Sequence, residues 1–419
     1  MTDLSVDARL LATESGVAPR INSWVVILAS AVLGAGAIAL GDAYGWRQGA
    51  LFLVGGALGV TLYHALFGFT SAWRVFIADG RGAGLRAQML MLAAAAILFF
   101  PALGHGTLFG APVHGEYGAV GVSMITGAFL FGLGMQLGGG CASGTLYTVG
   151  GGNTRMLVTL AFFVIGSAFG AWHLPWWSAL PNIGKVSLIA SWGWAPALAV
   201  SLAAFAAIAA ATAAIERRKH GGLRNGAATD RRGFARFLHG PWPLLAGAVA
   251  LAAGNFATLY LAGRPWGITS AFALWGSKLF AAAGVDVASW GYWQPAERIH
   301  ALNDSVFADI TSVMDFGIML GALFAAGLAG KFRPGWKVEP RSLMAAVLGG
   351  LLLGYGARLA YGCNIGAYFS GIASSSLHGW VWLVAAFLGS VLGTYLRPWF
   401  GLSVERDLAT AQSGPVARA

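Results

Sequence analysis

Apolar residues in this chain come in long, nearly unbroken runs separated by short polar or glycine-rich breaks. Ten runs, at roughly 22–42, 49–66, 84–103, 120–138, 155–173, 190–215, 242–262, 310–330, 343–361 and 378–395, have the length of about 20 residues that a helix needs to cross a bilayer core. Hydrocarbon offers the backbone no hydrogen-bond partner, so each run must close its bonds within itself as a helix. The pattern predicts an all-α polytopic membrane protein.

Composition removes the alternatives. Of 419 residues, 57% are hydrophobic and 10% charged, against about 25% charged in a soluble domain. Disorder, collagen and a secreted disulfide scaffold are excluded. The two cysteines, Cys141 and Cys363, cannot build a disulfide framework or a four-cysteine zinc site. The net charge of +10 raises the question of nucleic acid, but the Lys and Arg residues lie mostly in loops. The connection from Glu216 to His239 holds Arg217, Arg218, Lys219, Arg224, Arg231, Arg232 and Arg236 against Glu216 and Asp230, which predicts a cytoplasmic loop. Ten crossings then put Arg74, Arg81, Arg86, Lys331, Arg333, Lys337, Arg341 and both termini on the cytoplasmic side. The loops assigned outside are poor in basic residues: His105 to Ala119 carries Glu116, and Val285 to Asp309 carries Asp286, Glu297, Asp304 and Asp309 against Arg298. The charge is topological; the expected partner is the lipid bilayer and not nucleic acid. The first twenty residues, with Asp3, Asp7 and Glu14, lack a cleavable signal pattern, so the first apolar run is expected to stay as a membrane helix.

Laying the cysteines over each other exposes an internal repeat. Gly132 to Gly144 reads GLGMQLGGGCASG and Gly354 to Gly366 reads GYGARLAYGCNIG, both fitting G-x-G-x-x-L-x-x-G-C-x-x-G. Upstream, Gly68-Phe69-Thr70-Ser71-Ala72-Trp73 matches Gly267-Ile268-Thr269-Ser270-Ala271-Phe272. The longer spacing in the second half falls in the loop with Trp290, Tyr292 and Trp293, read as an insertion. In the predicted topology one half starts from outside and the other from the cytoplasm, with the 190–215 run as the odd crossing, so the repeats are expected to be inverted, as in transporters whose site lies near the midplane. The expected layout is a cytoplasmic tail (1–21), a first half with its leading helix (22–189), a linking helix and basic loop (190–241), a second half (242–396) and a cytoplasmic tail (397–419).

Both motif pairs are rich in helix breakers. Gly138, Gly139 and Gly140 precede Cys141, and Gly150 to Gly152 and Asn153 follow it. Unwound backbone is tolerated in a membrane only inside protein or around a cavity, so four broken or re-entrant helices are expected, two per half, with their tips meeting centrally. Half-helix N-termini would aim amides at a bound anion. Close helix packing is the plainer account of any single glycine, but packing does not ask for a cysteine at the same place twice. A dinucleotide-binding loop is excluded because Leu137 and Leu359 stand where its last glycine belongs. Two symmetric thiols suit a substrate ending in sulfur; metal binding is disfavoured because no His lies within the motifs, and a redox pair is an alternative.

Further substrate-binding candidates are Arg358, its repeat counterpart Gln136, Asn364, Ser143, Gly140, Gly362, Thr70, Ser71, Thr269 and Ser270. Arg358 can instead bond helix-end carbonyls or reach the interface, and the small polar residues can equally be caps. Asp315 reads as a cap or interfacial residue near a helix start, with proton coupling as the alternative. Asn255, Lys278 and His64 are unassigned.

The motifs LGGGCASG at Leu137 to Gly144 and YGCNIGAYFSGI at Tyr361 to Ile372, together with the doubled architecture, resemble the YeeE/YedE family of bacterial inner-membrane transporters for sulfur compounds, of which thiosulfate is the best established substrate. The resemblance runs from the second apolar run onward. It implies an hourglass of inverted repeats, loops meeting at a constriction, and thiosulfate passed along by hydrogen bonds to cysteine thiols, here Cys141 and Cys363. Members often have a further cysteine near the outer entrance, which this chain lacks, and the insertion near Trp290 also departs from compact members. Some members are tied to selenium, and some work with a small cytoplasmic sulfur-carrier protein.

The reading is a multi-pass inner-membrane transporter importing thiosulfate or a related small sulfur anion, without cofactor and without chemistry on the substrate. The rivals are a membrane thiol oxidoreductase using Cys141 and Cys363, a selenium-compound transporter of the same family, and a scaffold for a cytoplasmic partner.

Overall fold

The computed structural model describes residues 20–224, 233–336 and 338–405. Asp3, Asp7 and Glu14, the loop residues Asp230, Arg231 and Arg232, Lys337, and the tail beyond 405 lie outside the described residues.

Along the chain run α1 (Ser23–Tyr44), α2 (Trp46–Ala65), α3 (Phe69–Asp79), α4 (Ala83–His105), α5 (Val122–Gly138), α6 (Ala142–Gly150), α7 (Thr154–Ser178), α8 (Leu188–Trp192) and α9 (Trp194–His220). Then come α10 (Gly233–His239), α11 (Leu244–Ala262), α12 (Thr269–Ala282), α13 (Ala296–Asn303), α14 (Ile310–Leu328), α15 (Pro340–Leu359), a wide π-helical turn over Asn364–Ser370, α16 (Gly371–Ala373) and α17 (Leu377–Leu396). Two small antiparallel strand pairs, Thr107–Leu108 with Ala111–Pro112 and Ala119–Gly121 with Asn182–Lys185, are the sheet among the described residues. Among those residues 10 helical stretches are long and apolar enough to cross a membrane, and each coincides with an apolar run of the sequence.

The remaining short helices include the expected broken segments: α3, α6, α12 and the π turn with α16. None is capped by its Ser or Thr. α3 and α12 have Gly68 and Ile268 at their N-caps without a side-chain bond, whereas the two cysteines cap α6 and the π turn.

Packing follows the repeat. α2 lies on α14 as α4 lies on α11; α7 lies on α15 as α5 lies on α17; α3 touches α17 as α12 touches α7. Laying α2–α7 over α11, α12, α14, α15, α16 and α17 in order turns each first contact into the second. In lipid such interfaces depend on close backbone approach, and glycine supplies it. A Cβ on Gly55 would stand 2.9 Å from the Met314 Cα, and one on Gly132 would collide with the Ala386 carbonyl. Packing therefore accounts for these glycines. α1 and α9 lie outside this arrangement and bury little of their length. Glu216 ties α9 to the rest: it is fully buried and accepts bonds from Gly82 N (3.0 Å), Arg86 (2.7 Å) and Arg224 N (2.9 Å).

The loops sort onto two faces. On one, Arg74 pairs with Glu405, His220 reaches the Asp79 carbonyl, and His239 reaches the Leu328 carbonyl. This basic face also holds Arg86. On the other, His114 N donates to the Gly263 carbonyl, Glu116 N to Ser374 Oγ, and Leu188 N to the Ser375 carbonyl. The inserted loop packs there as a small cluster of its own, with Val287, Tyr292, Trp293 and Leu302 against Ala171 and Leu274.

Candidate functional site

The GGGC run ends α5 and starts α6 in four residues. Gly139 takes a left-handed conformation at φ 92° and closes α5 with a bond to the Met135 carbonyl, the geometry of a glycine C-cap. The carbonyls freed at the helix end are taken by Arg155: Nη2 donates to Leu137 O and Nη1 to Gly138 O, both at 2.8 Å, and Nε donates to Ser342 Oγ at 2.8 Å. A cation on a helix C-terminus is favourable for the helix dipole as well as for the bonds. Cys141, extended at ψ −170°, then caps α6: its sulfur accepts from Gly144 N at 3.4 Å and lies 3.3 Å from Ser143 Oγ. It is 1% exposed.

The second half repeats the cap on a different backbone. Tyr361 sits at φ 61° and Gly362 at φ 150°, where a side chain on Gly362 would also come 2.8 Å from Ala367 N. Cys363, fully buried, accepts from Ile365 N at 3.3 Å, while its carbonyl takes both Ala367 N and Tyr368 N, opening the helix into the π register. π turns recur at functional sites.

The two capped segments touch each other. Both thiols belong to one buried cluster with Phe69, Trp73, Leu146, Tyr147, Ile365 and Tyr368. Phe69 and Trp73 of α3 meet Tyr368 edge-on, with centroids at 6.2 and 6.0 Å. Asn255 and Ser370 clasp the strand-like approach to α12: Asn255 accepts from Trp266 N (2.8 Å) and donates to Ser370 Oγ (3.1 Å), which donates to Trp266 O (2.7 Å). Asn255, unassigned from sequence, is thus a structural clasp.

Several buried polar atoms lack a protein partner: both amide atoms of Asn364, which directly follows Cys363, the Tyr368 hydroxyl, the Thr70 hydroxyl and both carboxylate oxygens of Asp315. Interiors rarely leave such groups unpaired, because desolvation without a bond costs about 1–3 kcal/mol each. Beside Cys363, then, the Asn364 amide keeps its whole hydrogen-bonding capacity unspent on the protein.

The other sequence candidates divide. Gln136 donates to the Thr70 carbonyl at 3.2 Å and its own carbonyl accepts from Arg397 at 2.6 Å, so it holds the start of α3, with its Oε1 still unpaired. Gly140 fits against Met156 and the α6 backbone. Ser71 bonds back to the Gly68 carbonyl, and Ser270 donates to Thr311 Oγ1 at 3.1 Å. Thr269 is buried at the first turn of α12. Arg358, in the last turn of α15, is turned toward the inserted loop: Nη1 donates to the Tyr292 hydroxyl at 2.5 Å and the guanidinium lies 5.2 Å from that ring. Glu116, in the loop before α5, feels Arg264, Lys185 and Arg358; burial pushes its carboxyl above the usual range and these cations pull it back. Asp315 is a correction. It neither caps a helix nor sits at an interface: Asp309 caps α14, and Asp315 is fully buried.

Arg155, Tyr147 and Tyr368 were not singled out from the sequence. The repeat carried a signal for the tyrosines, six residues after Cys141 and five after Cys363. Arg155 has a polar counterpart at nearly the same offset, His378, fully buried with Nδ1 on Gly118 N (3.1 Å) and Ser376 Oγ (2.7 Å).

Comparison with known proteins agrees with this architecture. The profile of the sulphur-transport family matches residues 64–392. The probable transporter YedE of Escherichia coli K12 is 38% identical over 171 residues, 39% of this chain and 41% of that protein. The YedE of Salmonella typhimurium LT2 is 37% identical over the same length. The chain therefore matches about two fifths of the length of these relatives. The thiosulfate transporter TsuA of Spirochaeta thermophila is 29% identical over 299 residues, 66% of this chain and 77% of that protein. The E. coli K12 TsuA is 26% identical over 296 residues, covering 65% and 75%. With the family profile spanning both cysteine motifs and all but the outermost helices, the chain belongs to the sulphur-transport, or YeeE/YedE, family.

Proposed function

We propose that this protein imports thiosulfate, or a closely related small sulfur anion, across a bacterial inner membrane, with Cys141 and Cys363 as successive contacts for its terminal sulfur. The observation that carries this reading is the pair of buried thiols capping two broken helices that touch each other, with the unpaired amide of Asn364 next to Cys363. A capping sulfur lies at the positive end of its helix, so it offers a soft contact where the backbone favours an anion. Asn364, Thr70 and Tyr368 supply hydrogen-bonding groups for the oxygens, and no bond of the substrate is made or broken. The names of the TsuA relatives favour thiosulfate.

The matched contacts of the two halves support inverted repeats related by a two-fold axis in the membrane plane, with the basic face and both termini in the cytoplasm. Arg358, Lys185, Arg264 and Glu116 then sit outside, where three cations gather anions. A small sulfur-carrier protein would take the substrate at the basic face.

The test is uptake of sulfur-labelled thiosulfate by cells lacking their own uptake systems, comparing the wild type with Cys141→Ser and Cys363→Ser at equal membrane abundance. Loss in both variants supports the paired-thiol path. Uptake that survives both overturns it, and a wild type without uptake overturns the substrate.

A further inference from the structure

α14 begins with its N-terminus already satisfied: Asp309 accepts from Ser312 N and from Ser312 Oγ, both at 2.7 Å. Deeper in the same helix, Asp315 is 0% exposed and neither carboxylate oxygen has a partner. Taking an ionised carboxylate out of water with nothing to bond costs far more than taking in the neutral acid. The side chain must therefore carry a proton or hold a cation whenever its surroundings are closed.

Its position is as informative as its burial. Thr311 stands one turn earlier on the same face of α14, and its hydroxyl receives Arg264 Nη2 and Ser270 Oγ, each at 3.1 Å. Arg264 in turn lines an open pocket of about 240 Å³ with His300, Asp304 and Asp309, on the face opposite the basic one. Toward the interior, α14 packs against α6, the helix that Cys141 caps. The acid thus sits in a helix whose first turn borders the open pocket and whose flank packs on the segment bearing Cys141.

Other titratable groups on the elements packed against α14 are engaged elsewhere. From α2, Tyr63 packs on Gly151 and His64 on Trp242. With α6 come Cys141 and Tyr147, the hydroxyl of Tyr147 facing Gly68. From α12, Lys278 donates to the carbonyls of Leu302 and Asp304. From α10, His239 bonds the Leu328 carbonyl, and Asp42 of α1 is exposed. On α14 itself the neighbouring acid is Asp309, which is spent on the helix cap. Neither oxygen of Asp315 has a protein partner, and a proton needs no further ligand where a metal ion would need several.

We propose that Asp315 is the proton site that couples anion entry to proton entry. A proton from the outer pocket forms the O–H bond on Asp315 as the anion reaches Cys363. That bond breaks when the site opens to the cytoplasm, and proton and anion leave together, with no change of oxidation state. The physical need is clear: each negative charge moved into a cell works against about 2.3 kcal/mol per 100 mV of inside-negative potential, and each accompanying proton removes that cost. The inference rests on the transport reading.

The experiment uses the full chain in liposomes, with labelled thiosulfate outside, a pH-sensitive dye inside, and an imposed gradient acidic outside. Wild type should acidify the lumen when thiosulfate is added and should accumulate label by about tenfold per pH unit for each proton carried. Asp315→Asn should still exchange labelled for unlabelled thiosulfate without a gradient, but should lose both acidification and gradient-driven accumulation. Asp315→Glu, which keeps the acid, should retain acidification, and it decides the matter if the Asn variant fails to reach the bilayer. Thiosulfate uptake by wild type without acidification overturns the proposal, as does acidification unchanged in Asp315→Asn, an Asp315→Glu protein that transports without moving protons, or uptake that requires sodium. A wild type that takes up no thiosulfate is a different failure: it sinks the transport reading itself.

Discussion

The two cysteine motifs share one sequence pattern, yet the first leaves one buried side-chain atom unpaired, the Gln136 Oε1, and the second leaves three, the Arg358 Nε and both amide atoms of Asn364. In the first half Cys141 caps a regular α-helix, its sulfur is bonded to Gly144 N and sits beside Ser143, and Arg155 closes the carbonyls left by the glycine break. In the second half Cys363 heads a π turn reached through two residues of positive φ, and Asn364 and Tyr368 beside it have unpaired buried atoms. Arg358 does not close that break. It is held by Tyr292 of the inserted loop. The difference teaches that a repeat can preserve a thiol's position while dividing the labour, one copy anchoring and the other left with bonding capacity for a guest.

The comparison can be broken most decisively at Arg155. Arg155→Ala removes charge-assisted bonds and strands buried carbonyls, and should destabilise the protein by about 3 kcal/mol or more. A thermal unfolding series in detergent checks this, and a midpoint within a degree or two of wild type would show that the first motif is not anchored as described. Next comes Gly362. Alanine there meets both a strained φ and Ala367 N, and should cost about 1–3 kcal/mol, clearly more than Gly140→Ala, where φ is ordinary and contacts are at 3.1 Å.

Asn364 sharpens the functional side. If its amide serves the guest, Asn364→Ala should lower labelled thiosulfate uptake about tenfold, the equivalent of one good hydrogen bond to an anion, with little change in unfolding temperature. Ser143→Ala should affect uptake less, because that hydroxyl is already spent on Cys141. Equal losses in the two variants would erase the proposed division. The smallest effect is expected at Tyr292→Phe, which deletes one bond from Arg358 and should cost about 1 kcal/mol of stability.

Much of the fold was legible along the chain. Ten spans, the broken helices and the doubled cysteine frame all follow from run length and glycine placement, because a bilayer leaves a chain so few ways to satisfy its backbone. The site was legible only in part. Cys141, Cys363 and Asn364 stand where the repeat put them. Asp315 was misread because distance from a helix start says nothing about what packs around it, and Asp309 had already taken the cap. Arg358 was open between a substrate contact and a structural bond, and its partner Tyr292 is 66 residues away, in a loop whose docking no local pattern encodes.

By itself, then, the sequence determined the membrane class, the ten apolar spans, the repeated motif and the two thiols, since hydrophobic length, helix breakers and symmetric spacing are local properties read one segment at a time. Tertiary structure alone decided which polar groups are satisfied and which are not. Arg155 finds the Leu137 and Gly138 carbonyls, Asn255 clasps Trp266 to Ser370, and Asp315 finds no partner among the described residues. Burial and pairing depend on residues brought together from distant helices, and in a medium without water that pairing decides whether a polar side chain serves the fold or waits for a substrate.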